Sequence, residues 1–441
     1  MILSFSLSNY RSIRDKAALS LLPAKSVKEL PDNVFLVEDK FAVLRSSVIY
    51  GANASGKTNV INALVEFVQF IKNSSKNSLK DSIQIYDPFL LDKTSKKQPT
   101  EFEIIFLYNK IRYIYIVSCV KENIVYESLN YFPKGQNVLV FERKEKNPIK
   151  FGSVLKGEKR SIEARLLPNQ LFLSKAANEN LDFLVQIYTY FSNYNDNNLM
   201  VFSLFDNLSP SVFIGSLLQK KDELFFKNFQ QIITSLDVGI NALKIKKNQV
   251  NLPFFGMFPP EAGELFNHEL IKENVLNSPY EIVAVHKMYD NKTNTIDIKE
   301  FALEKESSGT RILFIMAYYL LEAFEKGSVM IIDEFEKSLH PQIVRILIQM
   351  FNNADINKNN AQLIFTTHNV SLLSNELFRR DQIWFTEKDD SGNTELYSLS
   401  QIDGVRKEIP YDKWYMSGRF GATPIVQEPL IQYGNAIPKG E

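Results

Sequence analysis

The chain has 441 residues, with 51 lysines plus arginines balanced by 51 aspartates plus glutamates. That balance excludes a global basic field drawing the chain to nucleic acid or anionic lipid, and leaves such contacts to local patches. Hydrophobic residues make up 45% and charged residues 23%, ordinary globular composition for a chain long enough for two or three domains or one large domain with insertions, and the single cysteine, Cys119, excludes an intrachain disulfide.

The opening "MILSFSLSNYRSIRDK" has no basic stretch ahead of an apolar one, so no signal peptide is expected. The longest uncharged apolar run, "ILFIMAYYLL" (312–321), is too short for a bilayer. A soluble, cytoplasmic chain without a membrane partner is expected. Residues 1–50 read as strands, "ILSFSLSNY", "KFAVL" and "SSVIY". From Thr58 an apolar stripe of Val60, Ile61, Leu64, Val65, Val68 and Ile71 predicts a helix, ended by the polar "KNSSKNSLKD". A meander of strands follows from Thr100 to about Arg143. "LDFLVQIYTYF", "MVFSLFDNL" and "KDELFFKNFQQIITSL" read as helices, and "QVNLPFFGMFPPEAGELF" (249–266) as loop. Then come strands at "EIVAVHKM" and "TIDI", a helix stopped by Gly327, the buried strand "SVMIID", a helix opened by Pro341, the buried strand "QLIFTT" and a hairpin around "DDSGN".

Chemistry concentrates at four places. Gly51-Ala-Asn-Ala-Ser-Gly56-Lys57-Thr58 matches G-x-x-x-x-G-K-[ST], between a strand and a helix. Its backbone N–H groups, from Asn53, Ala54, Ser55 and Gly56 through Asn59, suit phosphate oxygens at a helix N-terminus. Lys57 would reach the β- and γ-phosphates and Thr58 would hold Mg²⁺. In "SVMIIDEFE", Asp333 suits the metal's outer sphere and Glu334 the attacking water. In "EKESSGTRILF", Ser307, Ser308 and Gly309 sit before a helix and form a second anion site or a simple cap. In "QLIFTTHN", His368 ends a strand expected beside that of Asp333, where it can bond a γ-phosphate.

The order of these motifs resembles the ABC-class ATPases of the SMC/RecF-like and OLD-like branch, and most closely the standalone "AAA family" ATPases of abortive phage infection. "LSFSLSNYRSIRD" resembles that branch's opening strand, with Arg11 a nucleotide contact, and "ESSGT" stands at its signature motif. "EFEKSLHP" carries His340 where many relatives have aspartate, and a metal-ligand role for His340 finds no partner at ligand spacing. The resemblance implies an α/β P-loop ABC-type ATPase head with a β-meander insertion and an inserted helical subdomain. The lobes would be 1–175, a helical insertion 176–275, and 276–441. It also implies a glutamine that senses Mg²⁺, Gln170 or, second, Gln84. ATP would be held between subunits of a homodimer or higher homo-oligomer, with Lys57, Glu334 and His368 catalytic. A separately encoded nuclease or toxin effector would read its state, since too little chain follows His368 for a nuclease module. The alternatives are a DNA-binding repair or maintenance ATPase, using "DKTSKK" (92–97), "KGEKR" (156–160) or "KIKK" (244–247), and a nucleotide-bound scaffold with negligible turnover.

Overall fold

The computed structural model describes residues 1–37, 41–145, 147–192, 199–202, 210–236, 239–247, 280–290 and 295–424. The loop expected at 249–266 lies outside them. In chain order, β1 (Ile2–Ser8), β2 (Ala17–Ser20), β3 (Val34–Val37), β4 (Phe41–Leu44) and β5 (Ser46–Gly51) lead into α1 (Lys57–Asn73). The meander is β6 (Thr100–Tyr108), β7 (Ile111–Cys119), β8 (Ile124–Phe132), β9 (Val138–Lys144) and β10 (Lys150–Phe151). Then come α2 (Lys159–Ala164), α3 (Phe172–Asn178), α4 (Asp182–Ser192), β11 (Leu199–Phe202), α5 (Pro210–Leu218) and α6 (Glu223–Ser235). The chain continues through β12 (Ala242–Lys247), β13 (Tyr280–Asp290), β14 (Thr295–Ala302), α7 (Ser308–Lys326), β15 (Val329–Ile332), α8 (Pro341–Asn352), β16 (Gln362–Thr366), β17 (Ile383–Lys388), β18 (Thr394–Ser398) and α9 (Tyr411–Met416).

One sheet organises the molecule. Its order is β11-β15-β16-β5-β17-β18, the first five strands parallel and β18 antiparallel. Its central strands are apolar on both sides, as parallel strands covered on two faces must be. Side chains alternate between two cores. Ile49, Val329, Ile331 and Ile364 join the core shared with the meander, α1, α3 and α4. Val48, Tyr50, Met330, Ile332, Leu363 and Phe365 join the core built with α6, α7, α8 and the C-terminal hairpin. The meander extends β1 and β2 into a seven-stranded antiparallel sheet, β10-β9-β8-β7-β6-β1-β2. α1 is fixed against it by aromatic contact, Phe67 lying 5.1 Å from Phe102 and 6.0 Å from Tyr115 between ring centroids. That packing aims the N-terminus of α1 at the carboxyl ends of the parallel strands, the end where ligands bind in such sheets.

Two expectations are corrected. "MVFSLFDNL" opens with a strand, β11, running parallel to β15 from Leu199↔Val329 to Phe202↔Ile332. A short apolar run carries no periodicity that separates strand from helix, and here the open edge of β15 decides it. Nor is residue 175 a packing boundary, because Leu184, Ile187, Tyr190 and Phe191 of α4 are buried in the same core as α1. The segment expected as a helical insertion thus contributes to the N-terminal core and to the central sheet.

Candidate functional site

α1 is preceded by Gly56, whose φ of 112° is one that L side chains rarely adopt, and the helix has no side-chain cap and no acidic residue in its first turn. Its free N–H groups and positive helix end are therefore offered to an external anion. Asn53 and Ala54 are exposed at the crest of the loop, while Ser55, Gly56 and Lys57 are buried. The Lys57 ammonium lies inside the loop and donates to the carbonyls of Gly51 and Ala52, 2.9 Å to each. Burial pushes its pKa below that of an ordinary lysine, against the opposing pull of Asp333, Glu334 and Glu336.

Asp333 and Glu334 follow β15 directly. Thr58 Oγ1 donates to Asp333 Oδ2 at 2.9 Å, and Thr366 Oγ1, from the end of β16, donates to Asp333 Oδ1 at 2.5 Å. Glu334 has a left-handed backbone, φ 54°, with its N–H donating to Thr366 Oγ1 at 2.7 Å. Its carboxylate stands 4.0 Å from His368 Nε2, and both side chains are solvent-accessible. Lys57, Thr58, Asp333, Glu334 and His368 thus meet at the ends of three adjacent strands, with β16 lying between β15 and β5. Among the described residues there is no group of three or more His, Cys, Asp or Glu that could hold a metal. A hydroxyl beside a single carboxylate is instead the oxygen set that suits Mg²⁺, which keeps waters and substrate phosphates as its other ligands.

The C-terminal hairpin buttresses the loop. Ser55 Oγ and Thr386 Oγ1 are 2.6 Å apart, and Thr394 Oγ1 donates to the Ser55 carbonyl at 2.8 Å. Thr394 Oγ1 also lies 2.8 Å from Ser12 Oγ, which accepts from Asn59 Nδ2 at 2.7 Å. A Cβ at Gly56 would overlap the Thr394 side chain. Thr366, Thr386 and Thr394 were not singled out by sequence reasoning. β-branched residues at strand ends are ordinary, so only the spatial convergence of their hydroxyls marks them.

Ser307 caps α7, its Oγ accepting from Thr310 N at 3.1 Å. Ser307 and Ser308 are exposed and Gly309 half-buried. A Cβ at Gly309 would come 2.5 Å from the carbonyl oxygen of Ser338, so the turn after β15 rests on this glycine. His340 caps α8 with its Nδ1 accepting from Gln342 N at 3.2 Å. That is a local task an aspartate also performs, and it accounts for the histidine without a metal.

Arg11 is paired with Glu66 at 2.6 Å and Asp87 at 3.0 Å. Its guanidinium is thus committed to α1 and the following loop rather than presented freely. Gln170 is corrected. Its Nε2 donates to the carbonyls of Ser75 at 3.0 Å and Asn77 at 2.9 Å, just past the C-terminus of α1. The 17 residues of α1 separate it from Thr58, about 25 Å of helix, so it cannot sense a metal held there. Gln84 is exposed. Lys244 and Lys246 are both paired with Glu300, and Arg160 with Glu163. Cys119 is buried, and burial raises its thiol pKa. No helix among the described residues is long and apolar enough to cross a membrane.

The strand order, the loop–helix junction and the acidic strand end define an α/β P-loop ATPase head of the ABC type. The family described as "AAA domain, putative AbiEii toxin, Type IV TA system" matches residues 46–374, well over half of the chain. The chain belongs to that family. Among solved structures, it is similar to an SMC head domain from Thermotoga maritima at 12% identity and a TM-score of 0.38, over 90% of this chain and 98% of that one. It is also similar to an Smc head domain with coiled coil and joint from Pyrococcus yayanosii at 11% identity and a TM-score of 0.43, over 95% and 99%. No curated protein matches the chain significantly.

Proposed function

We propose that the protein hydrolyses ATP in a composite site. The P-loop, Asp333, Glu334 and His368 of one subunit would hold the nucleotide, and the exposed Ser307–Gly309 turn of another would close over its γ-phosphate. The supporting observation is the asymmetry of the two helix starts. α1 has no side-chain cap and lies beside the carboxylates, whereas α7 presents exposed serines on the surface. Each half offers donors the other lacks. Thr58 and Asp333 would hold Mg²⁺, whose charge offsets that of the triphosphate. Lys57 neutralises phosphate oxygens, Glu334 orients and accepts a proton from water, and His368 stands beside that carboxylate to donate to the γ-phosphate. Bound ATP joins subunits and hydrolysis releases them, so the nucleotide sets an assembly state that a partner can read.

The family's description, with its toxin and type IV TA terms, favours a defence switch; its effector would be separately encoded, and the protein would work in the cytoplasm. The DNA-clamp reading draws less support, because Lys244 and Lys246 of the "KIKK" strand both pair with Glu300. Analytical ultracentrifugation of the Glu334→Gln variant tests the mechanism. ATP with Mg²⁺ should convert it to a larger species that Lys57→Ala cannot form, and an unchanged sedimentation profile would refute the sandwich.

A further inference from the structure

Glu334 adopts a backbone conformation that a non-glycine residue avoids, φ 54°, at a cost of order 1–2 kcal/mol. What holds it there comes from the neighbouring strand. Thr366 is fully buried at the end of β16. Its hydroxyl proton goes to Asp333 Oδ1 at 2.5 Å, because an ionised carboxylate can only accept. Its lone pairs are thereby turned toward the Glu334 N–H, which donates at 2.7 Å. The Thr366 carbonyl accepts from Phe335 N at 3.1 Å on the other side of the same turn. The His368 N–H then donates to Glu336 Oε1 at 2.6 Å. One hydroxyl therefore touches both acidic residues at once. The ordinary account of a threonine here is strand propensity, and a valine would serve that purpose equally well.

We infer that Thr366 is a positioning residue that fixes the Asp333 carboxylate for the metal and the Glu334 backbone for the attacking water. The inference rests on the reading of Glu334 and Asp333 given above. Thr366→Val keeps the shape and the backbone bond from Phe335 N to the Thr366 carbonyl, so the fold is retained while both hydroxyl bonds are lost. Thr366→Ser keeps the hydroxyl.

The test is steady-state turnover together with Mg²⁺-dependent binding of a fluorescent ATP analogue, for full-length wild type and variants of matched thermal stability. Thr366→Val should lower kcat about 10- to 100-fold, within the range a positioned base supplies, with metal-free nucleotide affinity unchanged. It should also raise several-fold the Mg²⁺ concentration for half-maximal analogue binding, and Thr366→Ser should restore both. At saturating Mg²⁺ in a Glu334→Gln background, Thr366→Val should cost little further turnover, since residues acting as a unit are non-additive. Wild-type-like turnover and Mg²⁺ dependence in Thr366→Val would overturn the inference, as would a full additional loss in the Glu334→Gln background. A wild-type chain without turnover would instead refute the hydrolysis reading, and the Mg²⁺ titration would still decide the role of Thr366.

Discussion

Thr394 and Ser55 are joined by a 2.8 Å hydrogen bond from the Thr394 hydroxyl to the Ser55 carbonyl, which ties the phosphate loop to a hairpin more than three hundred residues later in the chain. With the Thr386–Ser55 contact at 2.6 Å, the loop is gripped on both its side chain and its backbone. The loop is thus shaped by tertiary contacts as well as by its own glycines.

Removing that grip should loosen nucleotide binding without abolishing the fold. Thr394→Val deletes a hydrogen bond worth about 1 kcal/mol, so isothermal titration should show ATP affinity weakened about five-fold. Thr394→Ser should bind like wild type.

Gln170 belongs to the scaffold. Three hydrogen bonds hold its amide, from its Nε2 to Ser75 and Asn77 and from the Leu167 N–H at 3.3 Å. Gln170→Ala should destabilise the chain by about 1–3 kcal/mol in urea unfolding and leave the Mg²⁺ dependence of turnover unmoved. A changed Mg²⁺ requirement at unchanged stability would restore the sensor role.

Lys57 titrates early. Burial lowers its folded pKa, so its charge is lost as pH rises through a value below that of an ordinary lysine. Because kcat/KM reports groups of the free enzyme, its alkaline limb should fall sooner than lysine titration in water would give. Lys57→Arg, which holds its charge throughout, should show no such limb, whatever its absolute rate.

Gly309 has no room for a side chain. Gly309→Ala would place Cβ 2.5 Å from the Ser338 carbonyl and must displace the turn after Glu334. Turnover should fall at least ten-fold, as ångström-scale misplacement allows, with a stability loss of about 1–3 kcal/mol. Turnover matching wild type would show that the turn and the signature are uncoupled.

The sequence made the local devices legible. The loop at 51–58, the acidic end of β15, Gly327 at the end of α7 and Pro341 at the start of α8 each carry their reason in a few adjacent residues. The seat of His368 beside the Asp333 strand was legible too, and β16 does pair with β15. What depended on distant packing was not. β11 is a strand because β15 offers it an edge, and α4 belongs to the first core because α1 does. Gln170 was misjudged because its spacing says nothing about which end of α1 it meets. The three buttressing threonines were invisible because a hydroxyl's partners are set by the fold.

The composite site is tested most directly by mixing two inactive variants. Lys57→Ala lacks a phosphate grip and keeps its signature turn. Ser308→Arg keeps its grip and blocks that exposed turn. A mixed dimer contains one doubly impaired site and one intact site, so combining the two should restore a sizeable fraction of wild-type ATP turnover. Turnover of the mixture no higher than the sum of its parts would contradict a site shared between subunits.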